Sequence, residues 1–329
     1  MFRIGILGAG AIARTMASTL RLMAYRGDDV CLYAVASRDQ RKAEDFARRE
    51  GAQVAYGSYE LLASDPQVDL VYIATPHSHH AEHIELCLNA GRNVLCEKAF
   101  TANARQAERV LALAKEKKLL LAEAIWTRYQ PARKQLQDLI ASGAIGEVCG
   151  VKGELSYPLM DKERIVRPEL AGGALLDVGI YPLTFASMVL GDDIVKTSSS
   201  TMLMETGVDM TDSITLWYRG GAVAQILTSA AFQGENTGLV YGTKGFLRID
   251  NINNPSVIEV WNGRHSEHPA RIVDVEPKLT GYEYEVLACK KAVETGALEC
   301  PEMPHSEILT MMEQMDALRA QWGVRYPFE

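Results

Sequence analysis

The chain is short of what a nucleic acid, a membrane or an oxidising compartment would require. Its 329 residues carry 34 Lys plus Arg against 42 Asp plus Glu, a net charge of -8. No basic excess is available to neutralise phosphates or to dock on an anionic bilayer. No apolar run approaches the roughly 18 residues that cross a bilayer. The start, MFRIGILGAG, lacks the basic n-region, long apolar h-region and cleavage site of a signal peptide. Cysteine is sparse, with six residues (Cys31, Cys87, Cys96, Cys149, Cys289, Cys300) and no C-x-x-C pair. Several lie in apolar strand-like runs, as buried free thiols do. These absences predict a reduced, cytoplasmic protein with no nucleic-acid or membrane partner.

What is present is ordinary globular material, 47% hydrophobic and 23% charged, in a length that suggests about two domains. The first half alternates. FRIGILG, CLYAVAS, VDLVYIAT, NVLCEK and LLLAEAIW are apolar runs, separated by segments with helical spacing such as Ile12, Met16, Leu20 and Met23. Strands this apolar between helices indicate a doubly wound parallel sheet covered on both faces. After Ile145 the texture changes. TDSITLWYR and AVAQILTSA flank Gly220-Gly221 as a hairpin, and TGLVYGTKGFLRIDN, SVIEVWN and RIVDVEP add strand candidates. Helical patterns return at 282–294 and 306–322. The fold class is therefore α/β: a Rossmann domain over 1–125, then an α+β domain with a mostly antiparallel open sheet over 126–329, whose last helix is free to pack back on the first domain.

GILGAGAIA sets Gly8, Gly10 and Ala13 in a G-x-G-x-x-A array between the first strand and the first helix. Gly8 permits the tight turn, Gly10 admits a pyrophosphate to the backbone, and Ala13 lets helix and strand pack closely. Ala11 and Ile12 open the helix, whose free N–H groups and dipole face the phosphates. A plain glycine turn is the alternative. At the end of the second strand, where NAD sites carry an acidic residue, stands ASRDQRK. Ser37 and Arg38 suit a ribose 2′-phosphate, and Asp39 falls one residue late and fits a helix cap. NADP is thus expected ahead of NAD, against a solvated Arg38. His79, Glu82 and His83 spell H-x-x-E-H, a zinc-like signal. It opens a helix at the cofactor edge, so two histidines on a solvated helix, with no metal, is the reading adopted.

GGALLDVGIYP, 172–182, puts Asp177 and Tyr181 four residues apart, on one face of a helix. With Gly8-x-Gly10, ATPHSHH (74–80) and CEKAF (96–100), it resembles the Gfo/Idh/MocA oxidoreductases along the whole chain. EAIWTRYQP (123–131) and Tyr181 are similar to that family's branch of dimeric dihydrodiol dehydrogenases and NADP-dependent D-xylose dehydrogenases. The resemblance implies that Lys98 is the central catalytic residue, with Asp177 and Tyr181 completing the site. It further implies that Thr75, Pro76, His80, Glu97, Trp126 and Arg128 line the cofactor. Two positions depart from the pattern. Tyr181 stands where most relatives have His, and Ala99 replaces the proline of E-K-P.

Removing hydride from a carbinol carbon requires a base for the hydroxyl proton. A phenol, ordinarily near pKa 10, is a poor base unless an ammonium such as that of Lys98 stabilises its anion. Asp177 would orient a substrate hydroxyl or keep the lysine charged. Against this stand a core Tyr181 with a satisfied hydroxyl and an Asp177 that merely caps a helix. Arg164 and Arg167, in MDKERIVRPEL, edge a substrate pocket or lie in a solvated loop. The expectation is an NADP-dependent oxidoreductase that moves a hydride between nicotinamide and a secondary or anomeric alcohol of a sugar or cyclic trans-diol. The alternatives are a redox-neutral sugar-modifying enzyme with retained NAD and a non-catalytic NADP sensor. A homodimer through the C-terminal sheet is expected, as in similar proteins, and ITLWYR supplies aromatics for it.

Overall fold

The structure is a computed structural model describing residues 1–263 and 266–329. The chain begins β1 (Phe2–Leu7), α1 (Ala11–Arg26), β2 (Val30–Ala36), α2 (Gln40–Glu50), β3 (Val54–Tyr56), α3 (Tyr59–Ser64) and β4 (Leu70–Ile73). It continues α4 (His80–Asn89), β5 (Asn93–Glu97), α5 (Ala104–Lys117), β6 (Leu121–Ala124), α6 (Pro131–Ala141), β7 (Val148–Ser156), α7 (Glu163–Val166) and α8 (Ile180–Leu190). Then follow β8 (Ile194–Leu203), β9 (Asp209–Tyr218), β10 (Val223–Ser229), β11 (Gly238–Gly242), β12 (Gly245–Ile249), β13 (Val257–Asn262), β14 (Arg271–Asp274), α9 (Glu283–Thr295) and α10 (His305–Trp322).

Two compact units result, one of Met1–Trp126 with Lys278–Met312, the other of Thr127–Pro277 with Glu313–Glu329. In the first, six parallel strands run in the order β3-β2-β1-β4-β5-β6. The strand order reverses between β1 and β4, so the loops after them border the ligand crevice of a doubly wound sheet. β1 and β4 are apolar almost throughout because helices cover both faces. The three-residue β3 and the six-residue α3 escape sequence reading, since neither is long enough to show a period.

In the second unit, eight strands run β14-β13-β12-β11-β7-β10-β9-β8. The expected β9–β10 hairpin is antiparallel, and one pair, β7 with β10, is parallel. Side chains alternate across this sheet. Val151, Leu155, Ile214, Leu216, Ala224 and Ile226 are buried on the face that carries α8. Gly153 sets the approach of α8: a Cβ there would stand 3.1 Å from Pro182 Cβ, too close for the helix to keep its place.

Pro168–Leu190 is long and apolar enough to cross a membrane by composition, which corrects the expectation that no such run exists. Glycines, Asp177 and Tyr181 interrupt the count of consecutive apolar residues but barely lower the average. Of its most apolar 18-residue stretch, 78% is buried within the fold, as a core helix should be.

Candidate active site

The glycine turn is built as its spacing predicts. Gly8 has φ +111, a left-handed value, and a Cβ there would meet the Ala74 carbonyl oxygen at 2.7 Å. Gly10 is the N-cap of α1 with no side chain capping it, and no atom lies within 4 Å of where its Cβ would be. Ala13 is fully buried beneath. The N–H groups at the start of Ala11 and Ile12 thus open onto free space at a positive helix end, a cradle that fits a dinucleotide pyrophosphate.

At the end of β2, Asp39 is spent as a helix cap, accepting from Arg41 N at 2.9 Å and Lys42 N at 3.3 Å. Ser37 and Arg38 remain, and Arg38 lines a cleft of about 550 Å³ with Ser58, Tyr59, Thr75, Pro76 and His83. Arg38 hydrogen-bonds the Tyr59 hydroxyl, whose pKa is nevertheless raised, chiefly by burial. His83 corrects the reading of a solvated histidine pair. It is buried, its Nδ1 lies 2.9 Å from Thr75 Oγ1, and the Tyr59 ring meets it edge-on at 4.8 Å. Burial, then the neighbouring His79, His80 and Arg38, push its pKa down to about 4. Tyr59 and the His79/His83 pair come from two separate places in the chain, so the histidine motif alone could not announce this cleft.

Lys98 sits half-buried in a loop held from several sides. The fully buried His80 spans two loops, with Nδ1 2.9 Å from the Ala99 carbonyl and Nε2 2.8 Å from the Thr75 carbonyl. Burial pushes its pKa down, and a neutral ring donates to one carbonyl at a time. Glu123 Oε1 accepts from Phe100 N at 3.1 Å, and Asn103 caps α5 through Gln106 N at 2.9 Å. Glu97 accepts from the Tyr72 hydroxyl in the interior. The Lys98–Ala99 peptide is cis. Trp126 is buried, stacked 4.3 Å from Tyr282, and its indole Nε1 has no hydrogen-bond partner among the described residues. The structure thus brings Thr75, His80, Glu97 and Lys98 to the C-terminal ends of the neighbouring strands β4 and β5 and the segments just after them, the positions where α/β sheets bind ligands.

In the second unit, Asp177 lies inside a π-helical turn, Leu175–Gly179, that leads directly into α8 and Tyr181. The even helical spacing expected of the pair is therefore replaced by a π turn followed by an α turn, a form common at functional sites. Both residues are buried, at 3% and 8% exposure. Asp177 does not cap the helix. Its Oδ2 accepts instead from Arg164 Nη2 at 3.1 Å. Arg164 is thus no merely solvated loop charge, whereas Arg167, among the described residues, meets Glu163 and Glu169 at the surface. Arg128 is buried too, and donates from Nη2 to Ser187 Oγ at 3.0 Å.

Residues 2–124 match the model of an oxidoreductase family with an NAD-binding Rossmann fold, and 134–248 match the GFO/IDH/MocA C-terminal domain. The trans-1,2-dihydrobenzene-1,2-diol dehydrogenase of Mus musculus is 36% identical over 329 residues, 99% of this chain and 98% of that one. The Sus scrofa protein of the same name is 37% identical over 331 residues, with the same coverage. Among solved structures, the 3-ketoreductase KijD10 of Actinomadura kijaniata, in complex with NADP and TDP-benzene, superimposes with a TM-score of 0.85. It is 28% identical, covering 97% of both chains. The aldose-aldose oxidoreductase of Caulobacter crescentus shares the fold, with a TM-score of 0.85 at 22% identity over 98% of this chain and 97% of that one.

Proposed function

This chain belongs to the Gfo/Idh/MocA oxidoreductase family and is a dehydrogenase or reductase acting on CH–OH groups with a nicotinamide cofactor, and we propose that the cofactor is NADP and the substrate a sugar or cyclic trans-diol. The observation that carries the cofactor choice is Asp39. Its carboxylate caps α2 rather than awaiting a ribose hydroxyl, which leaves Arg38 at the cleft, with Ser37 beside it in the chain, for a 2′-phosphate. The substrate class is supported by the dihydrodiol dehydrogenases, full-length relatives at 36% identity.

Bound NADP would accept or supply the hydride. The rest falls to this chain's own groups. In this reading Tyr181 takes the proton of the substrate hydroxyl at its phenol oxygen. The Lys98 ammonium supplies the positive charge that makes a phenolate attainable near neutrality and polarises the carbonyl oxygen in the reverse direction. Asp177, held by Arg164, orients a substrate hydroxyl. Gly8, Gly10, Ala11 and Ile12 hold the pyrophosphate, and Thr75, Pro76, His80, Glu97, Trp126 and Arg128 shape the remainder of the cofactor site.

The same reading makes the enzyme cytoplasmic and homodimeric. The sheet face opposite α8 presents Trp217 beneath Lys196, 4.7 Å from its ring centre, and a stacked Phe246–Trp261 pair. Aromatics on an uncovered sheet are suited to self-association. Light scattering on the eluting protein should give twice the 36.2 kDa chain mass.

Nicotinamide absorbance provides the deciding test. Purified protein is supplied with NADP or NAD against a panel of aldoses, inositols and cyclic trans-diols. Reduction of NADP by one class establishes cofactor and substrate together. Equal rates with NAD would overturn the cofactor assignment, and silence with demonstrable NADPH binding would overturn the substrate assignment.

A further inference from the structure

Behind the π-helical turn lies a pair of carboxyls that the chemistry above does not use. Asp209 and Asp212 of β9 are both wholly buried. Asp209 Oδ2 accepts from Leu175 N at 2.5 Å, the first residue of the turn that holds Asp177. That turn has no side-chain cap of its own. Gly173, at φ +121, makes the approach possible, because a Cβ there would run into Asp209 Oδ1. On the far side, Thr201 Oγ1 donates to Asp212 Oδ1 at 2.7 Å.

Among the described residues, Asp209 Oδ1 and Asp212 Oδ2 are buried with no donor to either, and each carboxyl acts on the titration of the other. Two ionised carboxylates have no hydrogen to share, so the pair retains one proton. Burial raises both groups, but the Leu175 N–H favours the charge on Asp209. Burial and the Asp209 charge then push Asp212 up to about 9. The remaining charged and titratable groups around the pair lie in the C-terminal segment and the helix. Arg319 attracts Asp209 and is itself held by Asp316 and Glu329. The Tyr326 hydroxyl donates to the Gly172 carbonyl at 2.8 Å, and Asp177 already has Arg164.

We propose that Asp209 is a positioning residue: sharing a single proton with Asp212, it clamps Leu175 N and thereby fixes the turn that carries Asp177 and leads into Tyr181. The proposal rests on the reading that Asp177 and Tyr181 handle the substrate proton. Loss of the shared proton would leave two like charges in a dry interior, and the clamp would loosen.

Asp212→Asn tests this, because an amide donates to Asp209 at every pH. Hydrogen exchange of the peptide spanning 173–181, corrected for intrinsic rate, and kcat are followed from pH 7 to 10.5 in wild type and D212N. In wild type, exchange should rise at least tenfold above about pH 9 as kcat falls, with KM nearly constant; in D212N both changes should move upward by a unit or more. Asp209→Ala should loosen the same peptide at pH 7 while leaving NADPH affinity within twofold. Equal exchange profiles in wild type and D212N overturn the clamp, whether or not Asp209→Ala folds. Exchange that behaves as expected while kcat ignores the substitution overturns the catalytic reading of Asp177 and Tyr181 and keeps the clamp.

Discussion

Arg164 Nη2 lies 3.1 Å from Asp177 Oδ2, joining a side chain that is 43% exposed to one that is 5% exposed. The asymmetry assigns the roles. A buried carboxylate needs a counter-charge, and the guanidinium reaches inward from a short surface helix to provide it. Arg164→Met should therefore disturb Asp177 more than it disturbs the fold. Hydrogen bonds to charged groups are worth about 1.5–3 kcal/mol, reduced here by the wet side of the pair. We expect kcat/KM to fall roughly 5- to 20-fold with Tm lowered by at most a few degrees. Arg167→Met, which removes a surface charge only, should leave both unchanged, and steady-state kinetics with a melting curve compares the two variants directly.

Lys98 is the residue on which the proton chemistry turns. Lys98→Met keeps most of the stem and removes the ammonium. The pyrophosphate cradle does not involve that ammonium, so NADPH affinity, read by fluorescence titration, should stay within about threefold. Turnover should drop by about 100-fold or more, the usual worth of a group that governs proton transfer. Retained turnover would end its catalytic assignment.

The pattern of strand, glycine turn and helix was legible because both periodicity and turn chemistry act over fewer than ten residues, as at β1, Gly8-x-Gly10 and α1. Capping was legible for the same reason, and Asp39 behaves as its position before α2 demands. The partners of the candidate site were not. Arg164 and Asp177 are 13 residues apart, and Asp209 and Leu175 are 34 apart, separations set only by how β9 and the helices pack. The π turn was hidden as well, since GGALLDVGIYP is nearly all apolar and a buried segment has no polar face to mark its period. His83 misled because charge and solvation are usually equated, yet here the imidazole is neutral and packed beneath Tyr59.

The two turn glycines should fail in different ways. Gly8→Ala meets both an unfavourable φ of +111 and the Ala74 carbonyl, so it should destabilise the first unit by about 1–3 kcal/mol. Gly10 has an ordinary φ of -89 and empty space beside it. Gly10→Val should therefore melt like wild type yet bind NADPH at least tenfold more weakly, the lost affinity amounting to roughly 1.4 kcal/mol per decade. Calorimetric melting and fluorescence titration of both variants separate a structural glycine from one that makes room for the cofactor.

The Asp209–Asp212 pair also predicts how stability responds to pH. Asp212 is raised from 3.8 to about 9 by burial and by the charge of Asp209, so between those values the folded chain holds a proton that the unfolded chain has released. Stability must then fall as pH rises through that window and level off above it, by up to about 1.4 kcal/mol per pH unit for one proton. His83 works in the opposite sense at the acid end. Its pKa is lowered from 6.5 to about 4, so its contribution is lost as pH falls between those values. The opposed slopes of His83 and Asp212 nearly cancel below pH 6, and from about pH 7 to 9 Asp212 adds to a decline that the buried Glu285, also raised well above its ordinary value, shares. Urea midpoints measured across that interval should decline in wild type and decline less steeply in Asp212→Asn, which lacks the Asp212 proton but keeps Glu285. Parallel declines in both proteins would place the titrating group elsewhere.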